Sequence, residues 1–277
     1  MKFLWLTDIH INFLEDEERK KFYHEIINTK CEAILIGGDI AEGPSVSVLL
    51  KEIVDTIKKP IYFVLGNHDY YFEQIKNVKQ KIMQLMKVEP LLKWLPACEP
   101  IKLKSGIILV GQDGWADGRY GDYANSTVSI NDSRLITDLF QSKILGKYQL
   151  LEKMQYLADT DAQQLKEKIQ QSISQFNPQK IIILTHVPPF KEACLYEGKI
   201  SSDDCLPYFS SKATGDVLRE FAEKNPTIEF LVLCGHTHGY ANYMPLKNLT
   251  IKVGKAEYYK PELQLRGDEL QYVILTI

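Results

Sequence analysis

Five of the six histidines in this chain of 277 residues fall in a set of short motifs that otherwise carry aspartate, asparagine and glycine. The motifs are Asp8-Ile9-His10, Gly37-Gly38-Asp39, Gly66-Asn67-His68-Asp69, His186, and Gly235-His236-Thr237-His238. Imidazoles, carboxylates and one amide oxygen make a ligand set for manganese, iron or zinc. Magnesium and calcium favour shells made only of oxygen. No thiolate takes part, which argues against a closed structural zinc site. Asp8, His10, Asp39, Asn67, His186, His236 and His238 are too many ligands for one tetrahedral ion. They suit two ions roughly 3.5–4 Å apart that share a bridging carboxylate.

Residues spread over more than two hundred positions must be brought together by the fold. Each motif directly follows a β-branched or aromatic run that reads as a strand: 2–7, 33–36, 61–65, 180–185 and 229–234. Further strands are expected at 107–110, 249–253 and 270–277. Such near-continuous apolar runs suit strands buried on both faces. Helical stripes lie between several of them. One starts at Pro44 and carries Val48, Leu49, Ile53 and Ile57; another covers 161–176 with Thr160 as its N-cap; a third covers 212–225. A charged amphipathic helix over 15–28 places His24 in solvent. Alternation of strand and helix predicts an α/β fold with a largely parallel sheet, and ligands in such folds gather at the carboxyl ends of the strands. The last two strands have no helix between them and are expected to pair antiparallel. One domain spans 1–277, and residues 111–179, too long for a simple crossover, read as an insertion that folds over the site.

In order and in type, the five motifs resemble the signature of the calcineurin-like metallophosphoesterase superfamily: D-x-H, G-D, G-N-H-D/E, H and G-H-x-H. The resemblance runs from Asp8 to His238. It implies a four-layer α/β/β/α sandwich of two mixed sheets, with a dinuclear metal site at the strand ends. It further implies that Asp8, His10 and His238 hold one metal, that Asn67, His186 and His236 hold the other, and that Asp39 bridges them. His68 is then not a ligand but lies beside the scissile bond.

Two divalent ions bring four positive charges, of which Asp8, Asp39 and a bridging hydroxide cancel three. The remainder favours a phosphate and the extra charge of its transition state. The expected reaction is hydrolysis of a phosphomonoester or phosphodiester by the metal-bridging hydroxide. His68 would protonate the leaving oxygen, with Asp69 as its orienting partner. The metals expected are manganese and/or iron, with zinc as a further option, and the substrate is a small phosphorylated molecule such as a nucleotide.

Within 111–179, the run GQDGWADGRYGDYANS offers substrate contacts. Arg119 can pair with a phosphate oxygen, and Trp115 or Tyr123 can stack on a ring. The same residues can equally make glycine-rich turns with aromatics packed beneath.

A net charge of −3 gives no nucleic-acid signature. The apolar run before Asp8 is too short for a signal-peptide core, and no segment is long and apolar enough to span a bilayer. The five cysteines form no CxxC pair and read as reduced thiols, so a cytoplasmic location is expected. Two rivals remain. A non-catalytic scaffold on the same fold would have lost metal ligands, and all are present here. A small nuclease would have to manage with only 39 residues after His238.

Overall fold

The computed structural model describes residues 2–104, 106–261 and 275–276. Its strands follow the apolar runs, and successive side chains point to opposite faces of two sheets. In the first sheet, β1 (Lys2–Leu6), β2 (Ala33–Gly37), β3 (Ile61–Val64) and β4 (Leu92–Trp94) run parallel in that order. The second sheet contains β5 (Ile101–Lys104), β6 (Ile107–Gly111), β7 (Lys180–Leu184), β10 (Glu229–Cys234), β11 (Ala241–Leu246) and β12 (Leu249–Val253). Its order is β11-β12-β10-β7-β6-β5. Between β7 and β10 lies a separate ribbon of β8 (Leu195–Tyr196) and β9 (Lys199–Ile200).

Three apolar clusters separate four layers. Leu4, Leu6, Ile34, Ile36 and Phe63 pack outward against α1 (Asp16–Asn28), α2 (Val46–Ile57) and α3 (Ile75–Val88). The alternate residues Phe3, Trp5, Leu35 and Val64 meet Leu109, Ile182, Leu184 and Leu233 of the second sheet. On that sheet's outer face, Ile181, Ile183, Phe230 and Val232 pack against α6 (Lys147–Phe176) and α8 (Lys212–Lys224). The result is the α/β/β/α sandwich of two mixed sheets.

Several expectations change. The strand expected at 270–277 is described only as β13 (Leu275–Thr276). It pairs antiparallel with β1, not with β12, and the remainder lies outside the described residues. The antiparallel neighbour of β12 is β11, whose Asn242 and Pro245 disguise it in sequence. It can hold a proline because it lies at a sheet edge. Thr160 caps nothing, since α6 is one helix of 30 residues and the Thr160 hydroxyl donates back to the Tyr156 carbonyl. Val48 is 65% exposed, while Val46, Leu50 and Val54 complete the buried face of α2.

The stretch 111–179 divides in two. The C-terminal half of α6 is the crossover from β6 to β7, with Leu165 and Ile169 seated on the second sheet. The rest comprises a loop, α4 (Asp132–Leu135), α5 (Thr137–Leu145) and the first turns of α6, and packs through Trp115, Leu139, Leu150 and Met154 with the first sheet's cluster. No helix of the described residues is long and apolar enough to cross a membrane.

Candidate metal centre

Because the strands are parallel and in phase, their carboxyl ends come level. Leu6 pairs with Ile36, Gly37 with Val64, and Leu184 with Leu233. Asp8, His10, Asp39 and Asn67 follow strands of the first sheet, whereas His186, His236 and His238 follow strands of the second. The chain must turn sharply as it leaves each strand. Asp8, His10, Asp39, His236 and His238 all have positive φ, between 41° and 70°. Non-glycine residues rarely accept that region, and its clustering here marks a site where the surrounding structure imposes the backbone. Gly66 and Gly235 answer a different need, close approach. A Cβ on Gly66 would collide with the Asp39 carboxylate, and one on Gly235 with that of Asp8.

Asp39 lies at the centre, 1% exposed. Its Oδ1 is 3.4 Å from His186 Nε2, and its Oδ2 is 3.9 Å from His10 Nε2 and 4.0 Å from His68 Nε2. On one side, donor atoms of Asp8, His10 and His238 join Asp39 within 4.8 Å of one another. Asp8 Oδ1 is 3.5 Å from His238 Nε2, which is 3.3 Å from His10 Nε2. On the other side, Asn67 Oδ1 is 3.0 Å from His186 Nε2 and 2.9 Å from His236 Nδ1.

The protons on that second side reveal what the geometry suits. His186 Nδ1 lies 2.8 Å from the Gly37 carbonyl, and His236 Nε2 lies 2.9 Å from the Tyr208 carbonyl. A carbonyl only accepts, so each of those nitrogens carries the proton. The opposite ring nitrogen of a neutral imidazole is then a bare lone pair. Two lone pairs thus face the Asn67 and Asp39 oxygens, an arrangement that is repulsive unless a cation lies among them. Carbonyl partners of this kind fix the tautomer of metal-ligating histidines. The residues therefore fit a metal on both sides of Asp39.

Without metal, a proton takes the cation's place. Burial disfavours the His186 imidazolium, but the Asp39 carboxylate outweighs it and raises the pKa to about 10. Burial likewise opposes ionisation of Asp8, yet the hydrogen bond from His238 and the charge of His186 hold that carboxyl at about 2. Metal uptake at neutral pH should therefore expel the His186 proton. Affinity for Mn²⁺ should rise about tenfold per pH unit between pH 7 and 9, since the competing proton leaves only near pH 10. Titration calorimetry in buffers of different ionisation enthalpy reads that proton directly.

His68 sits beside the cluster. Its backbone N–H donates to Asp39 Oδ1 at 2.8 Å, and its ring lies 4.7 Å from that of His10 and 4.2 Å from that of Tyr71. Asp69 does not orient it. The Asp69 carboxylate is fully buried and accepts the amides of Ile40, Ala41 and Gly66 at 2.8–2.9 Å, which ties the β2 and β3 loops together. The three expected substrate contacts also point elsewhere. Trp115 is buried against Tyr70, with ring centroids 5.2 Å apart. Tyr123 is buried and donates to the Lys147 carbonyl. Arg119 is held between Asp117 and Asp159 at 3.0 and 2.8 Å. The glycine-rich run is thus a packed loop.

Two other residues, which sequence reasoning missed, reach the centre. Asp132, buried at the start of α4, accepts from Asn67 Nδ2 at 2.8 Å and from the Tyr71 hydroxyl at 2.7 Å. Holding the amide nitrogen there turns Asn67 Oδ1 toward His186 and His236. Asp132→Ala should weaken Mn²⁺ binding by about 10–100-fold, and Asp132→Asn, which keeps an acceptor, by much less; calorimetry compares the two. Tyr258 covers the other side. Its ring lies 4.6 Å from that of His10 and 4.7 Å from that of His238, and its hydroxyl is 3.4 Å from His68 Nε2. A cavity of 270 Å³ opens over the cluster, lined by Asp39, Asn67, His68, Asp132, Phe209 and Tyr258 among others.

A sandwich of two mixed sheets with carboxylates, imidazoles and one amide gathered at the ends of its parallel strands is the architecture of a metal-dependent hydrolase. A family model for calcineurin-like phosphoesterases matches residues 1–240, and the chain belongs to that family. It is accordingly a dinuclear metal-dependent phosphoester hydrolase. Among solved structures, a phosphopantetheinyl hydrolase from Mycobacterium tuberculosis is similar in fold. It has a TM-score of 0.58 and 10% identity over 99% of this chain and 95% of that one. A dimetal phosphatase from Danio rerio has a TM-score of 0.54 and 13% identity over 92% and 87%. No curated protein sequence matches at a significant level.

Proposed function

We propose that the protein hydrolyses a small phosphomonoester or phosphodiester in a single displacement at phosphorus. The observation that carries this reading is the convergence of donor groups from both sheets on Asp39, with imidazole lone pairs turned inward by backbone carbonyls. Asp8, His10 and His238 would hold one ion, Asn67, His186 and His236 the other, and Asp39 would bridge them. When bound, the pair supplies positive charge for the phosphate and a water acidic enough to attack it. Manganese and iron suit this mixed nitrogen and oxygen set, and zinc is the third option.

The remaining work belongs to the chain. His68 lies within reach of the same cavity as the ligands and can pass a proton to the departing oxygen. The Tyr258 hydroxyl, 3.4 Å from His68 Nε2, can hold that ring in place or share its proton. Burial of every proposed ligand but His238, which is partly exposed, limits screening of the site by bulk water. Free thiols at all five cysteines support a reducing, cytoplasmic setting. We read the chain as one domain whose 111–179 stretch contributes the Asn67 support through Asp132.

The test is hydrolysis of bis-p-nitrophenyl phosphate and p-nitrophenyl phosphate by protein loaded with Mn²⁺, Fe²⁺ or Zn²⁺. Turnover of at least one ester that disappears with chelator is expected. Absence of turnover with every metal overturns the reading.

A further inference from the structure

A second cavity, of 510 Å³, lies next to the metal centre and is formed by the β8–β9 ribbon and the segment that leads into α7 (Leu206–Phe209). The two spaces share a wall. Phe209 lines both, and its ring lies 5.3 Å from that of His236. Thr237 lines the second cavity, while its neighbours His236 and His238 line the first. The Thr237 hydroxyl oxygen is buried and has no hydrogen-bond partner among the described residues. Beyond it, Tyr196 and Ile200 are 67% and 48% exposed, although both are large apolar side chains. The charges at the rim, Glu197 and Lys199, oppose each other and leave the cavity without net charge.

A volume of this size is typical of small-molecule sites, and a lining of Tyr196, Ile200 and Phe209 with serines between them and one buried hydroxyl left without a partner suits an uncharged organic group. We propose that this cavity holds the retained arm of a phosphodiester substrate, an uncharged and largely apolar alkyl or aryl group. The inference rests on the phosphoesterase reading and narrows its substrate to diesters. Its geometry assigns the two arms to different walls. His68 contacts Tyr71, His10 and Tyr258, so the leaving oxygen belongs on that side, whereas Phe209 contacts His236 on the way to the second cavity. In the step, a water oxygen bonds to phosphorus and the bond from phosphorus to the leaving oxygen breaks. The leaving oxygen takes the electron pair and, where it would otherwise be an alkoxide, a proton from His68. The proton lost by the water passes through solvent to restore His68, and the retained arm departs as an alkyl or aryl phosphate. An apolar arm is drawn in because its methylenes leave water against Tyr196, Ile200 and Phe209.

The experiment compares methyl p-nitrophenyl phosphate with hexyl p-nitrophenyl phosphate on metal-loaded protein. Both release the same leaving group, so only the retained arm differs. The hexyl ester should show a kcat/KM at least tenfold higher. Hexyl phosphate, the corresponding product, should bind at least tenfold more tightly than methyl phosphate by calorimetry. Ile200→Asp and, separately, Tyr196→Ala should bring both ratios toward one with metal content unchanged. Both positions are solvent-facing, so folding should survive the change. Equal values for the two esters, ratios unmoved in both variants, or turnover of p-nitrophenyl phosphate without turnover of either diester would overturn this inference alone. Failure to hydrolyse any ester, mono or di, would overturn the phosphoesterase reading together with it.

Discussion

Asp39→Asn should deprive the protein of its bound metal and of its activity together. The two carboxylate oxygens of Asp39 face different halves of the cluster, one toward His186 and the other toward His10 and His68. An amide of the same shape offers one neutral oxygen and one NH2 group, so a single face can still ligate while the other repels a cation. The charge balance shifts as well, because the Asp39 carboxylate is the main group that favours a positive charge on the buried His186 ring. Metal analysis should fall from two ions per chain to one or none. Loss of kcat/KM should reach about 10³-fold or more, which corresponds to about 4 kcal/mol of transition-state stabilisation. The variant is isosteric, so circular dichroism should match the parent protein. Retention of both ions at full occupancy would show that Asp39 is not the bridge.

His68→Ala should separate rate from metal. No donor atom of His68 belongs to the tight four-residue group around Asp8, and its ring instead packs on Tyr71 and near Tyr258. Both ions should therefore remain, while kcat falls by about 10²–10⁴, the usual contribution of a positioned acid. The size of the loss should depend on the leaving group. p-Nitrophenolate departs without a proton and should be cleaved almost as fast as before, whereas an alkoxide needs one and should show the full loss. A purely structural role for His68 would slow both esters equally. Equal metal loss in the His68 and Asp39 variants would place His68 among the ligands.

Much of this candidate centre could be read from the chain because the proposed metal ligands carry a local signal. Each follows an apolar strand directly, so the strand pattern and the ligand type occur in one short string. Asp132 carried no such signal. It supports Asn67 from 65 residues away, and in sequence it is one more aspartate in a polar loop. Tyr258 was hidden for the same reason, in a segment after the last recognisable motif. Asp69 shows the opposite error, since adjacency to His68 suggested a partnership that the buried amides of Ile40, Ala41 and Gly66 had already taken. Trp115, Arg119 and Tyr123 had the chemistry to hold a substrate, and only their burial and ion pairs show that packing uses them instead. The length of α6 was obscured by a threonine that looks like a cap but bonds back into its own helix.

Each proposed ligand set takes residues from both sheets: Asp8 and His10 with His238, and Asn67 with His186 and His236. A bound ion would thus act as a clasp across the sandwich, adding to apolar contacts such as Leu35 with Leu233 and to hydrogen bonds such as those from Leu65 N–H and Trp94 Nε1 to Asp113. Resistance to heat then becomes a gauge of metal supply, rising by about 2.7 kcal/mol when the free ion stands at a hundred times its dissociation constant. A cell short of the metal would hold not merely an idle enzyme but a looser one, more readily opened and cleared.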